Sequence, residues 1–284
     1  MSGLLQKTLI GSSVIGMGVF AAVPGLAFSL TNPTLNDQPY LLYEQVGNST
    51  ELNNNADLAT LLQGDINNPG GHVELSGILG SPDSADMKNA TTLSGFLNGE
   101  KIQVSSLTKD DWLNPYGGYN SFAEKWFYEA WHTQETGLQA WMKEEALKNL
   151  GISNLTFGFA QFGFLNNNGY ARFSDPNVNY VNMANDGTIS IGLAGHLDHY
   201  TGLNLSEVVR VDYDGKTHYL YQMGSALASG LVNDQGEGAD GESHKGLYNL
   251  TLPGNPPVTD IPEPSTMLGL LGVAGLGLMK RRQS

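Results

Sequence analysis

No cysteine occurs anywhere in the 284 residues. Disulfide frameworks, thiolate metal sites and cysteine nucleophiles are therefore excluded together, and stability has to come from packing. Basic residues are scarce: 14 Lys and Arg stand against 28 Asp and Glu, giving a net charge of −14 and a pI near 4.6. That balance repels phosphate backbones and anionic membrane surfaces, which sets nucleic acid aside as a partner. Long apolar runs are also missing from the body of the chain. The two that exist sit at the ends, and both fall short of the ~20 residues of a stable membrane span. Charged residues of either sign amount to 15%, while Gly reaches 36 residues and Asn, Ser and Thr are frequent, a composition suited to an exported, polar, β-rich protein. The length allows one large domain or two small ones with a sizeable core.

The N-terminal end, MSGLLQKTLIGSSVIGMGVFAAVPGLAFS, has one early cation, Lys7, then an apolar stretch from Thr8 to Val23 and the small residues of GLAFS. A cationic start, a short apolar middle and a small-residue site are the grammar of a secretory signal peptide. Residues 1–29 are assigned to a signal for the Sec export machinery, removed after Ala27 or Ser29. An uncleaved N-terminal anchor would keep the same direction of export.

At the other end three features follow in order: Pro262-Glu263-Pro264, an apolar run from Thr266 to Met279, and the basic cluster Lys280, Arg281 and Arg282. Their order and position resemble the PEP-CTERM sorting signal. The resemblance implies an exported bacterial protein processed at the tripeptide by an exosortase, in a setting where extracellular polysaccharide is commonly made. Physically, the apolar segment inserts transiently in the bilayer as a transmembrane helix while Lys280–Arg282 stay cytoplasmic, which holds the tripeptide at the outer face. A plain C-terminal anchor is the alternative, and the run is short for one. Two internal segments, SLTKDDW and RFSDPNVNYVN, are similar to stretches of uncharacterised cyanobacterial PEP-CTERM proteins and bring no catalytic residues with them. Without Lys7, Lys280, Arg281 and Arg282, ten cations face all 28 acids, a net −18.

Between the ends, PYLLYEQ, GGHVELSGIL and EKIQVSSL have strand composition, with the Asn-rich NSTELNNNAD and GDINNPGG as loops and ADLATLLQG as a short helix ending near Gly64. A helical block follows. Thr108 with Asp111, Ser121 with Glu124, and Thr136 with Gln139 match capping-box spacing. Phe122, Ala123, Trp126, Phe127, Ala130 and Trp131 form one apolar stripe, leaving Glu124, Lys125 and Glu129 on the polar side. The second helix repeats the device with Leu138, Trp141, Met142, Ala146 and Leu150, and Gly151 is placed as its C-terminal cap. Beyond residue 155 strands return in LTFGFAQFGF, TISIGLAG, SEVVRVDYDGKTHYLYQ and KGLYNLTL, with a type I′ hairpin at Asp214-Gly215 pairing Tyr213 with Lys216 and Val211 with His218. The expected fold is α+β, a mostly antiparallel β-sheet with a central helical hairpin packed on one face. The expected domain plan is a signal peptide (1–29), a single α+β domain (30–253), a proline-rich linker (254–261) and the sorting signal (262–284).

Chemistry is thinly signalled. GEGADG at 236–241 satisfies GxGxxG by letter, but no strand leads in and its acids would repel a pyrophosphate. His196, Asp198 and His199 offer zinc a partial ligand set with no third anchor at a recognised spacing. Asp175, Asn177, Asn179 and Asp186 stand at positions 1, 3, 5 and 12 of an EF-type loop, with Tyr180 where glycine is required. Asp234, Glu237, Asp240 and Glu242 form a second acidic cluster, and calcium is the one ion kept open, on charge density. Asp110, Asp111, Glu124 and Glu129 surround the tryptophan-rich helices as glycosidase carboxylates would, although capping and core packing account for the same residues. Arg172 reads either as a structural partner for an acid or as a ligand contact. No GxSxG, P-loop or triad context is present.

No residue is assigned as catalytic, cofactor-binding or metal-binding; the assigned residues are the sorting set Pro262, Glu263, Pro264, Lys280, Arg281 and Arg282. The sequence reads as an exosortase-sorted cell-surface or extracellular matrix protein associated with exopolysaccharide, with a secreted glycan-active hydrolase as the alternative. Changing the tripeptide through Pro262→Ala, Glu263→Ala and Pro264→Ala is expected to leave an unprocessed, membrane-retained form on immunoblots of fractionated cells. Normal processing of that variant would refute the sorting role.

Overall fold

The computed structural model describes residues 26–76, 87–197, 202–233 and 245–256. Fourteen strands fall in two sheets among these residues. The first sheet contains β1 (Leu26–Ser29), β3 (Tyr40–Val46), β4 (Ser49–Leu52), β5 (His72–Leu75), β8 (Asn177–Ala184), β9 (Thr188–Gly195), β12 (Leu227–Ala228), β13 (Val232–Asn233) and β14 (Gly246–Pro253). Its order is β12-β14-β9-β8-β5-β3-β4-β13, with β1 also pairing β8. The second sheet holds β2 (Thr31–Leu35), β6 (Thr92–Leu97), β7 (Glu100–Ser105), β10 (Val209–Tyr213) and β11 (Lys216–Leu220), ordered β11-β10-β7-β6-β2. Pairing is antiparallel except between β13 and β4. The expectation of a mostly antiparallel β protein with a few helices is met.

The two sheets face one another across a shared core. Leu93, Ile102, Val104 and Val211 from the second sheet pack with Val178, Val181, Ile191 and Leu250 from the first. Alternation dictates this in β10, where Val209, Val211 and Tyr213 are buried and Arg210 and Asp212 are only half-buried, so one face enters the core. Each fully buried Val, Leu or Ile contributes about 1.5–3 kcal/mol. At the junction of the sheets the Ser76 hydroxyl meets that of Thr91 and donates to Ser106 Oγ at 2.8 Å, which also accepts from the Thr91 amide at 2.8 Å. The Asp214-Gly215 hairpin forms with the expected register, and both turn residues have positive φ, 49° and 70°.

Strand β8 is buried along its whole length because β9 lies on one side and β5 and β1 share the other. This overturns the EF-type reading: Asn177 and Asn179 belong to a strand, not a loop. Burial obliges its amides to find partners, and Asn179 Nδ2 donates to the Gly71 carbonyl at 3.1 Å and Asn182 Nδ2 to that of Gly64 at 2.8 Å. A bulge between Val178 and Tyr180 brings both Val178 and Val181 into the core although they are three positions apart. β1, from the end of the assigned signal, pairs Phe28 with Met183. Removal after Ala27 leaves that pair in the ladder, whereas removal after Ser29 deletes it.

The helices are α1 (Leu58–Leu61), α2 (Lys109–Leu113), α3 (Phe122–Thr133), α4 (Glu135–Leu150) and α5 (Phe157–Asn166), followed by a 3₁₀ turn at Gly169–Phe173. The α3–α4 pair is adjacent in sequence, but its apolar residues enter a second, aromatic core shared with α2, α5 and the side chains of Tyr219 and Tyr221. Tyr219 points to the face of the second sheet opposite Val209, Val211 and Leu220, so the helical block meets that outer face at β10 and β11 and does not supply the core between the sheets. Three local expectations are corrected. LTFGFAQFGF is helix α5: Ala160 and Phe164 face inward at helical spacing while Phe159 and Phe162 stay exposed, so packing overrides a glycine-interrupted, strand-like alternation. Residues 49–52 form β4 of a hairpin with β3, a pairing that Asn-rich composition hid. Thr136 lies inside α4, whose N-cap position is Gln134.

Gly192 shows how tightly the first sheet is matched. It stands opposite Tyr180 on one side and Asn249 on the other, and the Tyr180 hydroxyl reaches across it to donate to Asn249 Oδ1 at 3.0 Å. A methyl group on Gly192 would lie 2.2 Å from the Tyr180 ring. Gly192→Ala is expected to lose roughly 1–3 kcal/mol by overpacking, measured by chemical denaturation, whereas Gly215→Asn, in open space at a φ of 70° that asparagine accepts better than other side chains, should cost less.

Candidate functional site

The aromatic core explains what the tryptophans do. Trp112 is stacked with Tyr170 at 5.6 Å, meets Trp126 edge-on at 5.9 Å, and donates its Nε1–H to Ser174 Oγ at 2.8 Å. Phe122 stacks on Tyr219 at 4.7 Å. Trp112 and Trp126 have no exposed surface and Trp131 only 6%. Trp141 alone of the four is half-buried. Three of the tryptophans therefore offer no platform to a ligand.

Three of the four carboxylates near these rings, Asp111, Glu124 and Glu129, are engaged by the fold. Asp111 closes a full capping box with Thr108: its Oδ2 accepts from the Thr108 amide at 2.9 Å and hydroxyl at 2.6 Å. Its Oδ1 accepts from Tyr219 Oη at 2.8 Å and from an Arg210 nitrogen at 3.2 Å. Arg210 also meets Asp212 at 2.9 Å. Burial works against the Arg210 charge, yet Asp111 and Asp212 outweigh it and its pKa lies above the ordinary value. Burial, followed by the Asp111 charge, raises the Tyr219 phenol far above its usual range, so it acts as a hydrogen-bond donor.

A second group sits on α3. Lys125 Nζ donates to Glu129 at 2.6 Å and to the Tyr221 hydroxyl at 2.8 Å, and Tyr221 in turn donates to Glu129. The sequence placed Lys125 on the solvent side of α3; it is 8% exposed, because this acid and phenol give its ammonium a buried place. Burial, then the bond to Glu129, pushes the Tyr221 phenol far upward. Ser121 caps α3 by accepting from the Glu124 amide, but Glu124 turns to Asn120, accepting from its backbone and side-chain nitrogens at 3.2 and 3.0 Å. Asp110 stays exposed in the first turn of α2.

The open feature is a cavity of about 880 Å³ between α4, α5 and the 3₁₀ turn. Its apolar wall includes Trp141, Met142, Leu155, Phe159 and Phe162, with Phe162 66% exposed at the rim. Lys88, Lys109 and Arg172 line it from other segments, and Glu145 is the single carboxylate among its described lining residues. Arg172 lies 5.3 Å over the Trp141 ring and 3.9 Å from Glu145. Of the residues singled out by sequence, Trp141 and Arg172 come together here, while Asp110, Asp111, Glu124 and Glu129 do not. Sequence reasoning missed Phe159, Phe162 and the two lysines, since the helical turn of α5 and the packing of α2 and the loop before β6 are needed to bring them together.

Among the described residues no group of three or more His, Asp and Glu is arranged to hold a metal ion. Asp198, His199, GEGADG and the acidic cluster at Asp234–Glu242 lie outside the described residues, as does the sorting segment. Among the described residues no helix is long and apolar enough to cross a membrane.

Residues 260–283 match the PEP-CTERM protein-sorting motif. The chain thus carries the signal of an exosortase-sorted, exported protein destined for the cell envelope or surface, with exosortase as its processing partner. No curated protein and no solved structure matches the chain, and the likeness of SLTKDDW and RFSDPNVNYVN to cyanobacterial sequences has no support in these comparisons.

The bonding around Asp111 makes a stability prediction. Asp111→Ala leaves Arg210 and Tyr219 without their shared acceptor and is expected to cost about 3–5 kcal/mol in equilibrium unfolding. Asp110→Ala, at an exposed carboxylate, should change stability by less than about 0.5 kcal/mol.

Proposed function

We propose that the protein is a non-enzymatic cell-surface or extracellular-matrix protein that associates with extracellular polysaccharide. The observation that carries this reading is the sorting motif at 260–283. In this scheme the N-terminal signal directs Sec export, and the segment from Thr266 to Met279 pauses in the bilayer with Lys280–Arg282 inside. Exosortase then acts at Pro262-Glu263-Pro264. Support for a structural role comes from Asp111, Glu124 and Glu129, each engaged by hydrogen bonds or an ion pair within the fold. The exported body, at −18, is acidic, and calcium from outside the cell would bridge it to an anionic glycan.

The rival reading, a secreted glycan-active hydrolase, draws on Trp141 in an open cavity. Glycoside hydrolysis uses two carboxyl groups about 5–10 Å apart, and among the described residues the cavity wall offers one, Glu145.

Cosedimentation of the exported protein with native extracellular polysaccharide, with and without calcium, tests both readings when polymer length is followed in the same tubes. Calcium-dependent binding with intact polymer is the expected result. Shortened polymer would replace the proposal with the hydrolase, and absence of binding in both conditions would refute the polysaccharide association.

A further inference from the structure

From the geometry of the α4–α5 cavity we infer that it is a binding site for an amphipathic oxyanion: one acidic headgroup, carboxylate or phosphate, on an apolar body. The inference does not depend on the polysaccharide reading.

Charge is the first argument. The body of the protein holds only ten cations against 28 acids, yet three of the ten, Lys88, Lys109 and Arg172, line this one cavity, where Glu145 is the one carboxylate among the described lining residues. They arrive from three separate places in the chain, the loop before β6, the start of α2 and the 3₁₀ turn, so helix periodicity does not account for their convergence. Surrounded by an acidic surface, such a spot concentrates an anion that the rest of the molecule repels. Arg172 is also oriented: its guanidinium lies over the Trp141 ring at 5.3 Å with Glu145 at 3.9 Å. A planar fork held in this way suits the two oxygens of a carboxylate or phosphate.

The apolar wall is the second argument. Met142, Leu155, Phe159 and Phe162 give a non-directional surface, and the cavity, about 880 Å³, is in the range of small-molecule sites. Phe159, Phe162 and Leu150 are 47%, 66% and 68% exposed, an apolar rim that stays in water unless something covers it.

The exposed apolar rim of Phe159, Phe162 and Leu150 favours an apolar body over a sugar. Three of the lining asparagines each give a bond to the fold: Asn166 Nδ2 donates to the Phe162 carbonyl at 2.8 Å, Asn168 Oδ1 accepts from Tyr170 Oη at 2.7 Å, and Asn149 Nδ2 reaches Glu145 at 3.5 Å. Their remaining donors and acceptors are why the test includes a sugar.

The test is calorimetric titration of the full chain with dodecanoate, dodecyl phosphate, the uncharged dodecyl maltoside and an oligouronate, each below any micelle concentration, with tryptophan fluorescence as a second readout because Trp141 is the half-buried indole. The two charged amphiphiles should bind with 1:1 stoichiometry and at least roughly tenfold more tightly than the neutral one, the worth of a charge-assisted bond. The tighter of the two identifies the headgroup. Arg172→Gln should remove most of that preference and leave neutral binding unchanged. Lys109→Gln, at an exposed residue whose loss spares the fold, should weaken anion binding severalfold in the same direction. Phe162→Ser should weaken both classes of amphiphile. Equal affinity for charged and neutral amphiphiles, insensitivity to both charge variants, or lack of saturable binding would overturn the inference. Preferential binding of the oligouronate would overturn it as well and make the cavity a sugar site. The polysaccharide proposal can fail while this result stands, since cosedimentation does not read this cavity's ligand.

Discussion

The Asp111 carboxylate joins two parts of the molecule that otherwise keep separate cores. It caps α2 through Thr108 and accepts from Arg210 of β10 and Tyr219 of β11, so one side chain orders the start of the helical block and ties it to the outer face of the second sheet. A buried acid is tolerated only when its charge is met, and here four donors meet it. The backbone bonds from Leu107 N to Ser174 O and from Val208 N to Phe173 O run alongside and close the joint. Lys125, Glu129 and Tyr221 form a second such joint on α3. Tyr219 and Tyr221 thus have a double role: their rings belong to the aromatic core and their hydroxyls to the polar joints.

Fastening the helices on that side leaves the opposite side of α4 and α5 open. Leu138, early in α4, is buried, but Leu147 and Leu150 near its end are 54% and 68% exposed, so the helix leaves the core along its length. α5 packs Phe164 inward and leaves Phe159 and Phe162 outward. The cavity is the space between these departing faces and the 3₁₀ turn.

Local signals were legible wherever one short stretch carries its own physics. Thr108 with Asp111 closed a capping box, Gly151 capped α4 with φ of 65°, and Asp214-Gly215 turned a hairpin. The alternation in β10 and the runs in β9 and β14 were readable because burial on a sheet face repeats every second residue. Failures occurred where distant partners decide. LTFGFAQFGF alternates like a strand, but the rings of Trp126 and Phe127 receive Phe164 at helical spacing. Asn177 and Asn179 imitate ion ligands, but β9, β5 and the 64–71 loop enclose them. Lys125 was placed in solvent because nothing nearby in sequence shows that Tyr221 comes over it.

By itself the sequence determined the address of this protein and its charge: the order of tripeptide, apolar run and basic end is a linear signal, read from the chain without folding, and the scarcity of cations is a matter of counting. Only the tertiary structure decided which carboxylates are structural and where the few cations gather. Asp111 finds its partners 99 and 108 positions away, and Lys88, Lys109 and Arg172 meet only after the sheets and helices have packed. Long-range contacts of that kind leave no spacing in the sequence, because the separation along the chain is set by the intervening loops and strands and not by the chemistry of the residues that meet.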